Sequence, residues 1–251
     1  MSGILTALYS AICYVIFFLT FLYAIGFVEN AVVPKTIDSG TPGPLIPSLL
    51  INAVLLSVFA VQHSLMARPK FKAAWTRIVP QPAERSTYVL FSSLALILLF
   101  WFWQPMPQTM WEIQGGLAQF LFVLSLLGWA VVLVSTFLIS HFHLFGLHQG
   151  FARMMGYDPS GSPFVTPLFY KYIRHPIYAG FIIAFWSAPV MSLGHLVFAV
   201  ATTGYILIGI WFEERDLTTH FGERYTLYQK DVGMLVPKVG RGGRGHSPKV
   251  E

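Results

Sequence analysis

Tyr170-Lys171-Tyr172-Ile173-Arg174-His175-Pro176-Ile177-Tyr178-Ala179-Gly180 sets a guanidinium, an imidazole and three phenols at the threshold of a long apolar run. An arginine can hold a carboxylate through two parallel hydrogen bonds, and histidine and tyrosine side chains both donate and accept. Glu213 and Glu214 close that apolar run, followed by Leu217, Phe221-Gly222, Tyr225 and Tyr228. Two adjacent acids there could face Arg174 or a bound cation. Ionisable groups near membrane depth are costly, so both clusters invite a functional reading. Each also has a plain one. Arg174 and His175 would serve as interfacial anchors, with Tyr178 in an aromatic belt. The acids would cap a surface helix on which Leu217, Phe221 and Tyr225 form an apolar stripe.

A third cluster is His141-Phe142-His143-Leu144-Phe145-Gly146-Leu147-His148-Gln149. If the preceding helix continues through it, His141 and His143 point to different faces and His148 stands two turns from His141, a poor arrangement for one ion. There is no His-Glu-x-x-His pattern, so no metal is expected. A neutral histidine acting as general base, or orienting a substrate, is the better use of these residues. The chain also lacks a Gly-x-Gly-x-x-Gly turn, a Walker loop and a Gly-x-Ser-x-Gly elbow.

What must position these groups is a membrane scaffold. Of 251 residues, 55% are hydrophobic and only 11% charged, which is too apolar for an ordinary soluble domain. The formal charge of +5 fits membrane topology. No stretch interleaves bases with stacking aromatics, so nucleic acid is not an expected partner. The single cysteine, Cys13, excludes an internal disulfide and a thiolate zinc site. The first apolar stretch lacks a basic n-region and a small-residue cleavage site, and reads as a retained span.

Apolar stretches able to cross a ~30 Å core run over 4–28, 45–67, 88–103 and 117–139. The stretch over 177–212 would measure about 54 Å as one helix, nearly twice the core thickness, so it should double back. Ala188-Pro189 through Leu193-Gly194-His195 offers the turn. Charge tests the hairpin independently. Of the 16 Lys and Arg, all but Lys35 fall on one side if the amino terminus is cytoplasmic and the last run folds back. A single last span would strand the seven basic residues after Phe212 outside. The expected fold is therefore an all-α integral membrane protein: four transmembrane helices, a helical hairpin over 176–212 (five to six passes in all) and a short cytoplasmic C-terminal helix. Residues 1–251 form one membrane domain, with a four-span bundle over 1–140 and a cofactor-binding part over 141–251. Both termini and the active site are cytoplasmic, as in a bacterial inner-membrane protein.

The Pro- and Gly-rich loop from Pro34 to Pro47 reads as an irregular connector. Asn52, Gln62 and His63 in the second span read as interhelical hydrogen-bond partners, against the alternative of a transport pathway. The Gly-Gly-Arg-Gly tail from Gly240 reads as disordered, with a mild attraction to anionic lipid.

Arg174-His175-Pro176-x-Tyr178-x-Gly180, a hairpin, then Glu213-Glu214-x-x-Leu217-x-x-x-Phe221-Gly222-x-x-Tyr225-x-x-Tyr228 resembles the superfamily of isoprenylcysteine carboxyl methyltransferase and phospholipid methyltransferase. The histidine cluster and the first four spans are similar to its NnrU-like branch. The resemblance implies S-adenosyl-L-methionine held between the hairpin and the C-terminal helix, and methyl transfer to methanethiol, giving dimethyl sulfide, with hydrogen sulfide or other small thiols as further acceptors. It implies a cofactor site of Tyr172, Arg174, His175, Pro176, Tyr178, Glu213, Glu214, Tyr225 and Tyr228, in which Arg174 could receive the methionine carboxylate. A thiol must lose a proton to attack. His141 is the first candidate to take it, with His143 and His148 behind. Other acceptors (a prenylcysteine carboxylate, a lipid amine) and a non-catalytic component of nitrogen-oxide metabolism are the alternatives. Oligomeric state is not legible.

Overall fold

The computed structural model describes residues 2–157 and 166–238, so the glycine-rich tail from Gly240 lies outside the described residues. Helix α1 (Gly3–Val28) starts where the Ser2 hydroxyl accepts the Leu5 N–H at 3.3 Å. Helices α2 (Leu45–Ala67), α3 (Pro69–Trp75) and α4 (Gln81–Phe102) follow. Strand β1 (Thr109–Glu112) leads into α5 (Gly115–Ile139), and two short helices, α6 (His141–Leu144) and α7 (Leu147–Met155), come next. After a 3-10 turn at Leu168–Lys171 the chain forms α8 (Pro176–Trp186), β2 (Val190–Ser192), α9 (Leu193–Phe221) and α10 (Glu223–Asp231).

Among the described residues five helices, α1, α2, α4, α5 and α9, are long and apolar enough to cross a bilayer. Their outward faces are apolar, with Leu8, Ile12 and Leu19 of α1 56%, 60% and 60% exposed. In water such a surface would be unstable; against hydrocarbon it is the expected one. The protein is an integral membrane protein.

The long last run does double back, at the expected turn. Helix α8 begins at Pro176, whose missing N–H costs nothing in a first helical turn. Its 11 residues cover only about 16 Å at 1.5 Å per residue, so this limb is shorter than a full span. It lies tight against α5: a Cβ on Gly128 would stand 2.7 Å from the Gly180 carbonyl oxygen and 2.6 Å from the Ala184 nitrogen. Small residues permit that approach, and the Ser125 hydroxyl, donating to the Ala184 carbonyl at 2.7 Å, fixes it. At the turn, Ser192 caps α9 by accepting the His195 N–H at 3.0 Å, and His195 Nε2 bonds the Phe185 carbonyl at 2.9 Å. The polar residue that interrupts the apolar run thus bridges the two limbs.

Four features depart from the sequence expectation. The connections hold a two-stranded antiparallel ribbon, β1 with β2, pairing Thr109 with Ser192, Trp111 with Met191 and Glu112 with Val190 around a bulge. The 34–47 loop is packed rather than merely connecting: Ile37 is fully buried, and its carbonyl accepts the Trp103 indole N–H at 3.0 Å. Helix α9 runs unbroken past Glu213 and Glu214, so these acids cap no new helix. Gly222, at φ 57, breaks the chain there and puts Tyr225 on the separate α10, dividing the supposed Leu217-Phe221-Tyr225 stripe.

In α2, Asn52 donates to the Gln104 carbonyl and accepts its N–H, both at 2.8 Å, and His63 reaches Tyr88 and Ser92 of α4. His63 is an interhelical partner, as expected, whereas Asn52 holds the backbone of the loop that follows α4. Gln62 instead stays within its helix, on the Met66 sulfur at 3.1 Å.

Candidate functional site

The chain entering α8 is clamped by the segment after α10. Ile173 forms a parallel bridge with Gly233, the Arg174 N–H donates to the Gly233 carbonyl at 2.8 Å, and the His175 N–H to that of Met234 at 3.1 Å. These backbone bonds aim two side chains at α9. Arg174 Nε donates to Glu214 Oε1 at 2.7 Å, while its Nη1 donates to the carbonyls of Gln229, at 3.1 Å, and Val232. His175 Nε2 meets the same Glu214 oxygen at 3.0 Å, and must be the donor because an ionised carboxylate only accepts. Gln229 Nε2 completes the carboxylate at Oε2, 3.0 Å away. The Arg174 and Glu214 side chains are 9% and 18% exposed, which makes this a largely desolvated, hydrogen-bonded pair.

Glu213 is placed differently. Its Oε2 accepts the Tyr178 hydroxyl at 2.9 Å and lies 3.8 Å from His175 Nδ1, yet the side chain is 44% exposed and Oε1 has no hydrogen bond among the described residues. Tyr178 stacks on His175 with ring centroids 5.6 Å apart. Tyr225 is buried, its ring 5.8 Å from that of Tyr228, whose hydroxyl donates to the Tyr170 carbonyl. Burial, and after it the Glu214 carboxylate, raises the Tyr225 phenol above its usual range. Burial likewise raises Tyr228. Both phenols stay neutral at physiological pH. Pro176 is fully buried under this wall.

Of the residues expected here, Arg174, His175, Pro176, Tyr178, Glu213, Glu214, Tyr225 and Tyr228 converge. Tyr172 stands apart, 58% exposed and with no side-chain hydrogen bond to the described residues.

The histidines form a separate group that divides in two. Helix α5 stops at Ser140, in left-handed backbone at φ 113, and Gly146 turns again at φ 85. The continuous helix assumed for their spacing therefore does not exist. His141 points into the bundle, where its Nε2 meets the Tyr14 hydroxyl at 2.9 Å, its Nδ1 the Thr136 hydroxyl at 2.7 Å, and Phe137 stacks on it at 4.1 Å. Burial lowers its pKa. Both its ring nitrogens are hydrogen-bonded and only 2% of its surface is exposed. His143 and His148 are instead brought to 5.8 Å between rings. His143 is lowered by burial first, then by His148 and Arg85. His148 Nε2 meets the Tyr157 hydroxyl at 3.1 Å, and its buried Nδ1 has no partner among the described residues.

Sequence reasoning missed two contributors. Gln229 touches both members of the ion pair through side chain and backbone. Tyr170, named in the entry stretch but not drawn into the site, accepts the Tyr228 hydroxyl on its carbonyl. The bundle also holds polar pairs between spans: Tyr88 meets His63 Nε2 at 2.8 Å, and Ser64 meets Tyr205 at 3.1 Å. Gln229 directly follows Tyr228 and could have been drawn from the motif, whereas these pairs have no sequence signal beyond isolated polar residues in apolar runs.

Chemically, a half-exposed acid among aromatic faces attracts a cation, and a locked arginine–acid pair behind it holds the geometry. This donor set fits a sulfonium ligand that also carries an amino group and ribose hydroxyls. Glu213 Oε1, with no hydrogen bond among the described residues, is left to accept from them, and the phenols beside it are neutral.

The NnrU protein family matches residues 50–226. The methanethiol S-methyltransferase 1 of Bradyrhizobium diazoefficiens is 54% identical over 231 residues, covering 92% of this chain and 81% of that protein. The methanethiol S-methyltransferase of Mycobacterium tuberculosis is 49% identical over 240 residues, 94% and 98% of the two chains. Nurim of Pan troglodytes is 30% identical over 173 residues, 65% of each. No solved structure matches.

Proposed function

This chain belongs to the NnrU family, and we propose on that footing that it methylates methanethiol on sulfur, releasing dimethyl sulfide. The observation that carries the reading is the 54% identity to a methanethiol S-methyltransferase across 92% of this chain. Nothing comparable favours a prenylcysteine, a lipid amine or a non-catalytic role. The methyl donor is S-adenosyl-L-methionine, which supplies an electrophilic methyl on a sulfonium sulfur.

Glu213 and Tyr178 hold the donor's polar groups, with the Tyr225 and Tyr228 rings beside them. Arg174 both positions the wall and meets the donor. Its Nε and Nη1 serve Glu214 and two carbonyls, which fixes the wall, and Nη2, unbonded among the described residues, is left to receive the donor's carboxylate. The acceptor gives up its thiol proton before its sulfur attacks. Of the three histidines, His148 is the proton acceptor, because His141 has spent both nitrogens while His148 keeps a buried, unpartnered Nδ1. The site sits at the cytoplasmic face with both termini on that side, and the hairpin returns its second wall there. The Arg68–Asp216 pair, at 3.4 Å, supports this by tying the end of α2 to the end of α9.

The test is purified protein with methyl-labelled donor and methanethiol. Label recovered in volatile dimethyl sulfide is the expected result; label only in lipid, or none transferred, rejects the reading.

A further inference from the structure

A cavity opens where the end of α5 meets the starts of α3 and α4. It is a cleft of about 450 Å³ lined by residues of α3, α4, α5, α6 and α7, among them Lys72, Glu84, Arg85, His143 and Gln149. That volume lies within the range of small-ligand sites. Its charges are the unusual feature. Lys72 and Arg85 are both partly buried and repel one another, and among the described residues neither forms an ion pair. Burial first, and Arg85 next, lower the Lys72 pKa, while Glu84 opposes them. Arg85 is held in place by donating from Nε to the Leu144 carbonyl at 2.7 Å and by lying 5.1 Å over the Tyr88 ring. One held cation and one unpaired cation share the cleft with the single acid Glu84, which leaves a net positive site suited to an anion.

The surroundings say where that anion comes from. The cleft opens beside α3, whose Phe71 and Trp75 pack inward against Met66, Tyr88 and Val89, while Ile78 just beyond it is 78% exposed. A short helix with an inward aromatic face and an outward apolar residue lies at the membrane interface, at the depth of lipid phosphates. Basic pockets between spans at the cytoplasmic side suit such head groups. Glu84 adds a seat for an amine next to the phosphate.

We propose that this cleft binds the head group of a phospholipid, with the phosphate on Lys72 and Arg85 and a head-group amine on Glu84. The bound lipid pins α3 and the start of α4 against the histidine segment, outside the Arg174–Glu214 wall.

Thermal unfolding of the full chain in detergent tests it, with added dihexanoylphosphatidylethanolamine, dihexanoylphosphatidylglycerol or free phosphoethanolamine. Both lipids raise the Tm, the ethanolamine lipid more. Lys72→Gln weakens the apparent affinity about fivefold, Lys72→Arg preserves it, and Glu84→Gln removes the preference between lipids. The Lys72 ammonium makes no hydrogen bond among the described residues, so its side-chain variants should fold. Lipid responses unchanged in Lys72→Gln overturn the proposal, as does no response in wild type. Free phosphoethanolamine matching its lipid transfers the site to soluble phosphate esters. Displacement of the lipid by S-adenosylhomocysteine hands the cleft to the methyl donor, and either result refutes a lipid site.

Discussion

Arg174 and Glu214 stand 40 residues apart in sequence, on opposite limbs of the hairpin, and meet at 2.7 Å. The contact closes the site. It joins the entry to α8, the interior of α9 and, through the carbonyls of Gln229 and Val232, the end of α10. Removing one partner leaves a desolvated charge unpaired. Arg174→Ala is expected to cost ~3–5 kcal/mol, seen as a lower Tm and weaker donor binding by calorimetry. Arg174→Lys keeps the charge but loses the fork, and should recover only part of both. In a double-mutant cycle with Glu214→Ala, the coupling should exceed ~0.5 kcal/mol; simple additivity would show that the pair does not hold the site together.

The two adjacent acids should separate cleanly. Glu214 is enclosed by Arg174, His175 and Gln229, whereas Glu213 is 44% exposed and, among the described residues, hydrogen-bonded only to Tyr178, with His175 Nδ1 3.8 Å away. Glu213→Gln is therefore expected to weaken donor binding with little change in Tm, and Glu214→Gln to lower both. Tyr178→Phe removes one hydrogen bond, about 0.5–1.5 kcal/mol, and should follow Glu213 rather than Glu214. Equal effects from the two acid variants in paired calorimetry and melting would contradict this division.

The hairpin and both walls of the site were legible because length, charge and motif spacing act on side chains. A run over 177–212 is too long to cross once as a straight helix, and the charge rule groups the basic residues after Phe212 with those from Arg68 to Arg85. The remainder rests on backbone. The bonds that hold Arg174 go to main-chain carbonyls, which every residue offers and no sequence marks. The separation of His141 from His143 and His148 depends on left-handed backbone at Ser140, a residue that rarely adopts it, as well as at Gly146. The β1–β2 ribbon pairs two short segments 80 residues apart, with no alternation long enough to read.

The histidine segment predicts an acid-sensitive fold. Burial lowers the pKa values of His141 and His143, so the folded state favours their neutral forms. Their contribution is present above the unfolded value of about 6.5 and is lost as pH falls below it, down through the depressed folded values. The Tm should be flat above neutrality and decline on acidification. His141→Gln, which removes the titrating ring, should melt lower at neutral pH yet lose less on acidification. Tyr14→Phe leaves His141 Nε2 without its 2.9 Å partner, at a cost of ~1–3 kcal/mol. A pH profile parallel to wild type in His141→Gln would remove His141 from the account.

The seam between α5 and α8 carries the site, because α8 begins at the residue following His175. A methyl on Gly180 would meet the Gly128 carbonyl oxygen at 2.7 Å and the Val132 nitrogen at 3.0 Å, both backbone atoms that cannot swing aside. Gly180→Ala and Gly128→Ala should each push the helices apart, at about 1–3 kcal/mol of overpacking. Because the displaced helix carries His175 and Tyr178 toward or away from the α9 acids, donor affinity should fall along with stability. Gly116, on the same helix as Gly128, has nothing within 4 Å of its would-be Cβ. Gly116→Ala should be neutral or stabilise by up to ~1 kcal/mol. Melting curves and donor titrations on the three variants check this: if Gly180→Ala behaves like Gly116→Ala, close helix approach is not what sets α8 against the acids.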